Sequence, residues 1–571
     1  MILPEPAYGA GSFLPILFLM KHKFWGLAAM LGSFLTFSRA AYAQGGLAGD
    51  ALLYMRQNPS GTARSLGLAG ANVSLGADFG NLTSNPAGLG LFTKSEVSFT
   101  PGVGFGTTNA AQAANSAAVG TGSPSLSQTA NSFHIASAGI VFANRRPDND
   151  NTSDWRGGAF ALGFTRLADF NQGLRYQNST DDNHSFFQRL REPYNNGNYT
   201  SADYQNNISD INNQYNTGNY QDIDGLAYGT GLVDHVAVPN PNPNPRPDQA
   251  QGQTISRAGT PAPLDPTSPD YANAPAALKA ARKGAITQTE TIQTTGSLSQ
   301  FDLGYGGNYR DRVYIGGGVG IVSLNRTRNS TFSESSGGDQ DFVSTDYLKT
   351  TGTGINARLG VIVRAADALR LGASIQTPTY IRLTEQYSTS LTANAKYATT
   401  GTVNTLSTAP GTFDYSITTP FRANGGATVL LGKAGFLTGD IEYVGYSQAK
   451  FNTLDGSSDR GLNDGNYSIA NNYRNVVNFR FGAEARLDVF RVRAGYAYYA
   501  DPYKSSDFSR NQQYYTLGAG IRTKTFFVDV AGVYLNNKDQ YQPYSLAYVA
   551  SPTVNQTINR FTASLTGGLI F

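Results

Sequence analysis

The chain of 571 residues has a formal net charge of +3, and 15% of its residues are charged, 12% are aromatic and 64 are glycine. It contains no cysteine, which excludes disulfide frameworks, zinc ribbons and thiol nucleophiles. The small, scattered charge does not favour a nucleic-acid surface. The four histidines lie far apart without metal-ligand spacing, so we expect no metal and no cofactor.

The first predicted element is a secretory leader. Lys21 and Lys23 precede the apolar run FWGLAAMLGSFLTF, and the small-residue motif Ala41-Tyr42-Ala43 follows it. The run is shorter than the ~20 residues of a membrane-spanning helix, so we predict cleavage rather than an anchor. Residues 1–43 are therefore assigned to the leader, with Met20 as the expected start.

The next element, residues 44–93, shows no two-residue alternation. It contains the stretch GTARSLGLAGANVSLGADFGNLTSNPAGLGLF, which is rich in the small residues that a chain folded against other backbone requires. At Lys94 this composition gives way to the alternating SEVSF. We predict that residues 44–93 form a plug that continues into the first strand of a barrel wall, residues 94–571.

Strict alternation of apolar and polar residues recurs through residues 94–571, as expected of strands with one apolar face. In VVNFRFGAEARL and FRVRAGYAYY, Arg480, Arg486, Arg491 and Arg493 lie opposite the phenylalanine and leucine face. An arginine at the lipid midplane costs about 2–4 kcal/mol, so the polar face is predicted to line a lumen. The same parity holds for Arg358, Arg370, Glu484 and Arg522.

The connections between these strands predict a membrane barrel. Tight links such as RAADAL, LGKAGF, RLDVFR and RTKT alternate with long polar segments, as in transmembrane barrels but not necessarily in soluble sandwiches. Counting them gives an all-β, transmembrane antiparallel β-barrel of fourteen strands with both ends periplasmic. The longest polar segment, about 172–289, is predicted to be an extracellular insertion with a stiff proline tract at 239–249.

Several stretches resemble the FadL-type outer-membrane transporters of long-chain fatty acids and other hydrophobic compounds. They are ARSLGLAGANVSLGADFGNLTSNPAGL, LGASIQTPTYIRLTEQY, TPFRANGGATVLLG, DIEYVGYSQAKF and GNYRDRVYIGGGVGI. The resemblance covers most of residues 50–571. It implies that the plug is a movable hatch, with Arg64, Asn85, Pro86 and Ala87 as hatch residues. It also implies ligand capture by the external loops, movement of the hatch, and lateral or luminal release.

We therefore predict an outer-membrane transporter of hydrophobic or amphiphilic small molecules such as long-chain fatty acids. The expected partners are that ligand and outer-membrane lipids, with no nucleic acid, and the expected state is a monomer. The candidate ligand path comprises Arg358, Arg370, Arg480, Glu484, Arg486, Arg491, Arg493 and Arg522. The competing interpretation of these arginines is that most of them pair with acids and brace the barrel interior.

Two other functions remain open from the sequence. An enzyme is disfavoured because the chain has no G-x-S-x-G elbow and no clear nucleophile and base pair. The alternative is an adhesin or receptor whose long external loops bind a partner while the barrel serves as an anchor.

Deletion of roughly residues 175–285 distinguishes these two functions. A transporter keeps part of its ligand uptake because the barrel carries the path, whereas an adhesin loses partner binding because the insertion carries the contact surface. Uptake of a labelled fatty acid by cells producing the shortened chain measures the difference. Complete loss of uptake from a correctly assembled barrel would contradict the transporter prediction.

Overall fold

The computed structural model describes residues 46–113, 123–147, 149–150, 152–195, 201–237, 253–256, 285–336, 341–393, 404–546 and 549–571. The predicted leader, the first two residues of the predicted plug and the proline tract lie outside these ranges.

The described helices are short and do not form part of the sheet. They are α1 Gly46–Met55, α2 Ala63–Gly67, α3 Asn81–Ser84, α4 Phe186–Asn195, α5 Ser201–Thr217, α6 Ile223–Gly229 and α7 Arg460–Asn472, with 3₁₀ turns at Pro86–Leu91, Asp182–His184 and Tyr446–Gln448. None of the helices in the described part of the chain is long and apolar enough to cross a membrane.

Strands account for most of the remaining described residues. They are β1 Glu96–Gln112, β2 Leu126–Arg145, β3 Trp155–Asp169, β4 Gln172–Thr180, β5 Asp234–Ala237, β6 Gln253–Ser256, β7 Ile286–Tyr309, β8 Val313–Ser335, β9 Phe342–Ala366, β10 Leu369–Gln376, β11 Tyr380–Ala393, β12 Asn404–Ser407, β13 Gly411–Thr418, β14 Arg422–Leu430, β15 Gly435–Val444, β16 Lys450–Thr453, β17 Val476–Leu487, β18 Phe490–Tyr499, β19 Gln512–Arg522, β20 Phe526–Tyr541 and β21 Val554–Ile570.

All of these strands except β5 and β6 belong to one antiparallel sheet that closes on itself. The first strand, β1, pairs with its neighbour β2 and also with the last strand, β21, from Glu96 opposite Ile570 to Gln112 opposite Val554. Four crossings of the wall are interrupted: β3 with β4, β10 with β11, β12 with β13 and β14, and β15 with β16. The wall therefore has fourteen crossings, which confirms the predicted fourteen-strand antiparallel barrel.

The two faces of the wall have the predicted parity. Large apolar side chains point outward, with Phe481 55%, Leu487 65% and Leu517 70% exposed. The charged side chains of Glu484 and Arg493 lie on the opposite face and are buried. Because a closed barrel with an apolar exterior satisfies its backbone groups within the wall, this surface suits a lipid environment.

The insertion predicted from about residue 172 begins later in the structure. Residues Gln172–Thr180 form β4, which pairs with β7, and the connection between these strands is residues 181–285. In β4, whose sequence is QGLRYQNST, the outward side chains such as Arg175 and Gln177 are polar, while Leu174 and Tyr176 are buried. Composition alone therefore made this strand look like loop.

The pairing of the wall is interrupted next to β3. The ladder between β2 and β3 runs from Arg145 opposite Gly157 to Ser137 opposite Thr165 and then stops. Beyond it, residues 126–135 of β2 pair with β1, while β4 pairs with β7. Within the described ranges no backbone ladder joins β2 to β4. We call this separation of β2 from β3 and β4 the gap.

A local distortion accounts for the gap. The register between β3 and β7 shifts between Arg166 and Ala168, so that Leu167 is inserted as a bulge. On β7 the break lies beside Gly296, whose φ of +123° is strained for any residue with a side chain. Beyond this point the chain continues as β4, which still pairs with β7 but no longer with β2.

A charge on the outward face tests the lipid-facing assignment. Leu517→Arg places a cation in the middle of β19, so we expect the free energy of unfolding in phospholipid vesicles to fall by about 2–4 kcal/mol. The control is Tyr467→Arg on the loop helix α7, where Tyr467 is 74% exposed. Equal stability of both variants in denaturant titrations would contradict the assignment.

Candidate functional site

Residues 46–92, which we call the N-terminal segment, lie against the inward face of the wall. Gly306, Gly316 and Gly360 lie side by side on β7, β8 and β9 and form a flat seat for part of the segment. A Cβ at Gly316 would lie 2.3 Å from the carbonyl carbon of Pro86, and one at Gly360 would lie 1.8 Å from Asn85 Oδ1. The seat therefore depends on the absence of side chains at these positions.

Asn85 joins the seat to the rest of the segment. Its side chain is fully buried and caps the 3₁₀ turn that begins at Pro86, because Oδ1 accepts a hydrogen bond from Ala87 N at 3.1 Å. The amide nitrogen donates to Val73 O at 2.7 Å, and to Val361 O on β9 at 3.2 Å. Replacing Asn85 would leave several buried polar groups unpaired.

The first helix of the segment fills an apolar chamber at the long-loop end of the barrel. Leu52 and Met55 of α1 pack in one cluster with side chains from β11, β13, β16 and α7. The single acid of α1, Asp50, pairs with Arg326 Nη1 on β8 at 2.8 Å. Burial, and then the nearby Asp50 carboxylate, raises the pKa of the Tyr54 phenol, so this hydroxyl stays protonated.

The predicted hatch residue Arg64 and the predicted path residue Glu484 lie together. Glu484 accepts hydrogen bonds from Arg493 Nε at 2.7 Å and Arg486 Nε at 2.8 Å, and Arg64 Nε lies 3.7 Å away. Arg493 also binds Asp529 at 2.6 Å. This network ties the N-terminal segment to β17, β18 and β20.

The other predicted path arginines are also engaged by the protein. Arg358 pairs with Asp302 at 2.8 Å and Arg522 with Glu96 at 2.9 Å. Arg480 donates to Asn424 Oδ1, Arg370 to Leu75 O, and Arg491 to the carbonyl of Phe490. These contacts favour the bracing interpretation, and a ligand contact at any of these arginines stays a prediction.

A cavity of about 80 Å³, partly open to solvent, borders both edges of the gap. We call it the gap cavity. Its apolar lining consists of Leu66, Ala136, Leu167, Ala168, Val533 and Leu535. Asn58 of the N-terminal segment forms one side, because its backbone nitrogen donates to Leu167 O on β3 at 2.9 Å and its side chain accepts from Tyr514 on β19. The cavity thus lies between the segment and the interrupted wall.

The polar lining of the gap cavity carries a positive charge. Arg166 and Arg560 face a single carboxylate, Asp169, and the other polar residues of the lining include His134 and Ser564. Three buried atoms of this lining have no hydrogen-bond partner: Arg166 Nε, His134 Nδ1 and Ser564 Oγ. An apolar cavity with a surplus cation and free polar atoms suits an amphiphile with an anionic head group.

A second cavity, of about 50 Å³, lies on the other side of residues 58–60, which line both cavities. Its lining is polar and includes Arg422, Glu442 and the predicted path residue Arg480. Arg422 and Glu442 pair at 3.1 Å. The N-terminal segment therefore separates a mainly apolar space at the gap from a polar one deeper in the lumen.

Arg166, Asp169 and Arg560 are not among the site residues predicted from the sequence. One signal was present: in the β3 stretch FALGFTRLAD, the alternation breaks at Arg166-Leu167, where the structure has its bulge. Such a break marks a site where a strand changes course. The partners that meet there come from β2 and β21, which local pattern does not reveal.

Filling the seat tests whether the wall glycines hold the N-terminal segment. Gly316→Ala forces a Cβ against Pro86, so we expect a loss of about 1–3 kcal/mol in the free energy of unfolding and faster protease cleavage within residues 46–92. The matched control is Gly567→Ala on β21, where a Cβ would meet nothing within 4 Å. If both variants resist protease like the parent, the seat does not position the segment.

The sequence matches no protein-family model and no curated protein. The fold is similar to solved structures of outer-membrane transporters. The Pseudomonas putida toluene transporter TodX is 12% identical with a TM-score of 0.45, and a Pseudomonas aeruginosa FadL homologue is 14% identical with a TM-score of 0.47. The Ralstonia pickettii toluene transporter TbuX is 14% identical with a TM-score of 0.43.

Each of these three similarities covers 90% of this chain and 99% of the other. The Escherichia coli outer-membrane protease OmpT matches half of this chain, with a TM-score of 0.19.

Proposed function

We propose that this protein moves hydrophobic or amphiphilic small molecules across the outer membrane and releases them through the gap into the membrane. The proposal includes both barrel termini on the periplasmic side, as the short connections at that end indicate. It excludes a catalytic role for the barrel.

The observation that carries the proposal is the position of the gap cavity. Its apolar walls lie where the wall loses its backbone ladder between β2 and β3. Where a backbone ladder joins two neighbouring strands, its hydrogen bonds would have to break before a molecule could pass sideways through the wall. A hydrophobic solute that moves from such a cavity directly into lipid avoids the free-energy cost of entering water.

Capture is proposed to occur among the long connections. Phe186, Leu226 and Leu232 of the 181–285 connection pack with Phe332 and Tyr544 at that end of the barrel. These side chains are buried against one another, so a solute arriving from water has to displace part of the cluster before it contacts them. The solute then has to pass α1 and the rest of the N-terminal segment to reach the gap cavity.

The proposed ligand class is a long-chain carboxylate such as a fatty acid. The apolar lining accepts the chain, and the two arginines beside a single aspartate accept the carboxylate. A neutral hydrocarbon would fill the same walls but would leave the surplus guanidinium without a counter-charge.

The proposed hatch is the N-terminal segment, whose movement opens the way from the chamber of α1 to the gap cavity. The anchors that must yield are hydrogen bonds such as that from Val73 N to Asp440 Oδ2, at 3.0 Å. Each such bond contributes on the order of 1 kcal/mol, so displacing part of the segment is within reach of ligand binding.

A reversible cross-link tests this movement. A Cβ on Gly426 of β14 would lie 3.1 Å from Val73 Cβ and would also press against Asp440 Oδ1, so Val73→Cys with Gly426→Cys forms a disulfide once the Asp440 side chain has moved aside. The parent has no cysteine that could compete. We expect oxidation to reduce uptake of a fluorescent fatty acid at least tenfold and a reductant to restore it.

The two single-cysteine variants, treated with the same oxidant, control for damage to the cells and to the barrel. Folded barrel is quantified from its altered migration in unheated gels. Full uptake by the oxidised double variant would show that this part of the segment does not move during transport. Absence of uptake by the parent itself would reject the proposed function.

A further inference from the structure

Asp169 is the point at which the two edges of the gap meet. From β2, Ser132 Oγ donates to Asp169 Oδ2 at 3.1 Å, and His134 Nδ1 lies 3.9 Å from the same oxygen. Asp169 ends β3, beyond the last backbone pair between β2 and β3. A side-chain hydrogen bond therefore bridges the edges where backbone pairing is missing.

The other oxygen of Asp169 faces the cations of the gap cavity. Arg166 Nη2 lies 3.4 Å and Arg560 Nη1 3.7 Å from Asp169 Oδ1, which also accepts from Asn171 N at 2.8 Å. Both arginines reach further acceptors: Arg166 donates to Gly296 O at 3.0 Å and Arg560 to Asn171 O. One carboxylate thus both bridges the gap and serves as the shared counter-charge of the two arginines.

We propose that Asp169 is a latch on the gap, released when the anionic head group of a ligand takes its place beside Arg166 and Arg560. This inference rests on the proposed function and adds a specificity-determining residue to it. Asp169 acts as a positioning residue for the arginines and for Ser132. The ligand it favours is an amphiphile with one carboxylate rather than a neutral molecule of the same shape.

Charge balance is the reason for the exchange. Two guanidinium groups and one carboxylate leave one buried positive charge, which a second carboxylate neutralises. The unpartnered Arg166 Nε and Ser564 Oγ supply donors for that head group. As the arginines turn toward the ligand, Asp169 loses the contacts that fix its orientation, so its carboxylate can rotate out of line with the Ser132 hydroxyl. A neutral head group starts no such exchange.

The test compares decanoate with decanol, which have the same chain length and differ in charge. Ser132→Ala removes the bond across the gap and leaves Asp169 and the arginines in place. We expect decanol uptake into proteoliposomes to rise about tenfold, as expected for a lost barrier near 1.4 kcal/mol, while decanoate uptake changes little. Decanoate releases the latch itself in the parent, so the ratio of the two rates is the decisive readout.

The matched control is Ser127→Ala on the same strand, where Ser127 Oγ donates to Asn109 across the intact ladder between β2 and β1. Asp169→Asn is the second variant, and we expect it to bind decanoate about tenfold more tightly, since two uncovered arginines remain, with decanol binding unchanged. Asp154→Asn, which removes an exposed acid paired with Arg310, controls for net charge.

The outcomes separate this inference from the function on which it rests. If the parent moves neither compound faster than protein-free liposomes, the proposed function fails. If the parent moves both compounds and Ser132→Ala keeps the parent's ratio of rates, the transporter stands and the latch is rejected. Equal changes for decanoate and decanol would likewise reject it, because a general loosening of the wall ignores charge.

Discussion

Backbone hydrogen bonding is the constraint on which the rest of this structure depends. In hydrocarbon each unpaired N–H or C=O costs several kcal/mol, so a sheet in a membrane must close. The chain meets this demand by pairing β1 with β21 along their whole length. The gap beside β3 departs from this pattern, because a backbone ladder is missing there. The N-terminal segment supplies part of the missing pairing, since Asn58 N donates to Leu167 O. The interrupted wall and the segment are therefore parts of one arrangement.

A second constraint is the width of the lumen, which the N-terminal segment has to fill by packing against the wall. Glycines at Gly306, Gly316 and Gly360 let backbone approach backbone, and ion pairs such as Asp50 of α1 with Arg326 of β8 hold the contact. Buried ion pairs contribute less to net stability than their geometry suggests, because desolvation offsets much of the attraction. Their value here is positional, since each fixes one part of the segment against one strand. A segment held by many individually modest contacts can be displaced in part.

The two cavities give the lumen a division by polarity. The gap cavity is mainly apolar and carries a surplus cation, whereas the second cavity is polar and contains the Arg422–Glu442 pair. Residues 58–60 lie between them. An amphiphile is therefore proposed to be directed to the membrane side of the segment, where its chain finds apolar walls and its head group finds arginine. Charge at the gap then adds selectivity that the apolar walls cannot supply, because hydrophobic burial does not distinguish a fatty acid from a hydrocarbon of equal size.

The sequence by itself determined which face of each strand meets lipid, and hence the barrel and its fourteen crossings. Two-residue periodicity is local, and the cost of exposing Arg480 or Arg493 to hydrocarbon fixes its direction. This periodicity does not identify a strand such as β4, because the outward face of β4 is not apolar. Only the tertiary structure decided which arginines find partners within the wall and which line the gap cavity. Arg166 and Arg560 are almost four hundred positions apart in the chain, and Asp169 meets Ser132 across unpaired edges. Such meetings depend on the register of strands distant in sequence and on one bulge, and neither is encoded in local alternation.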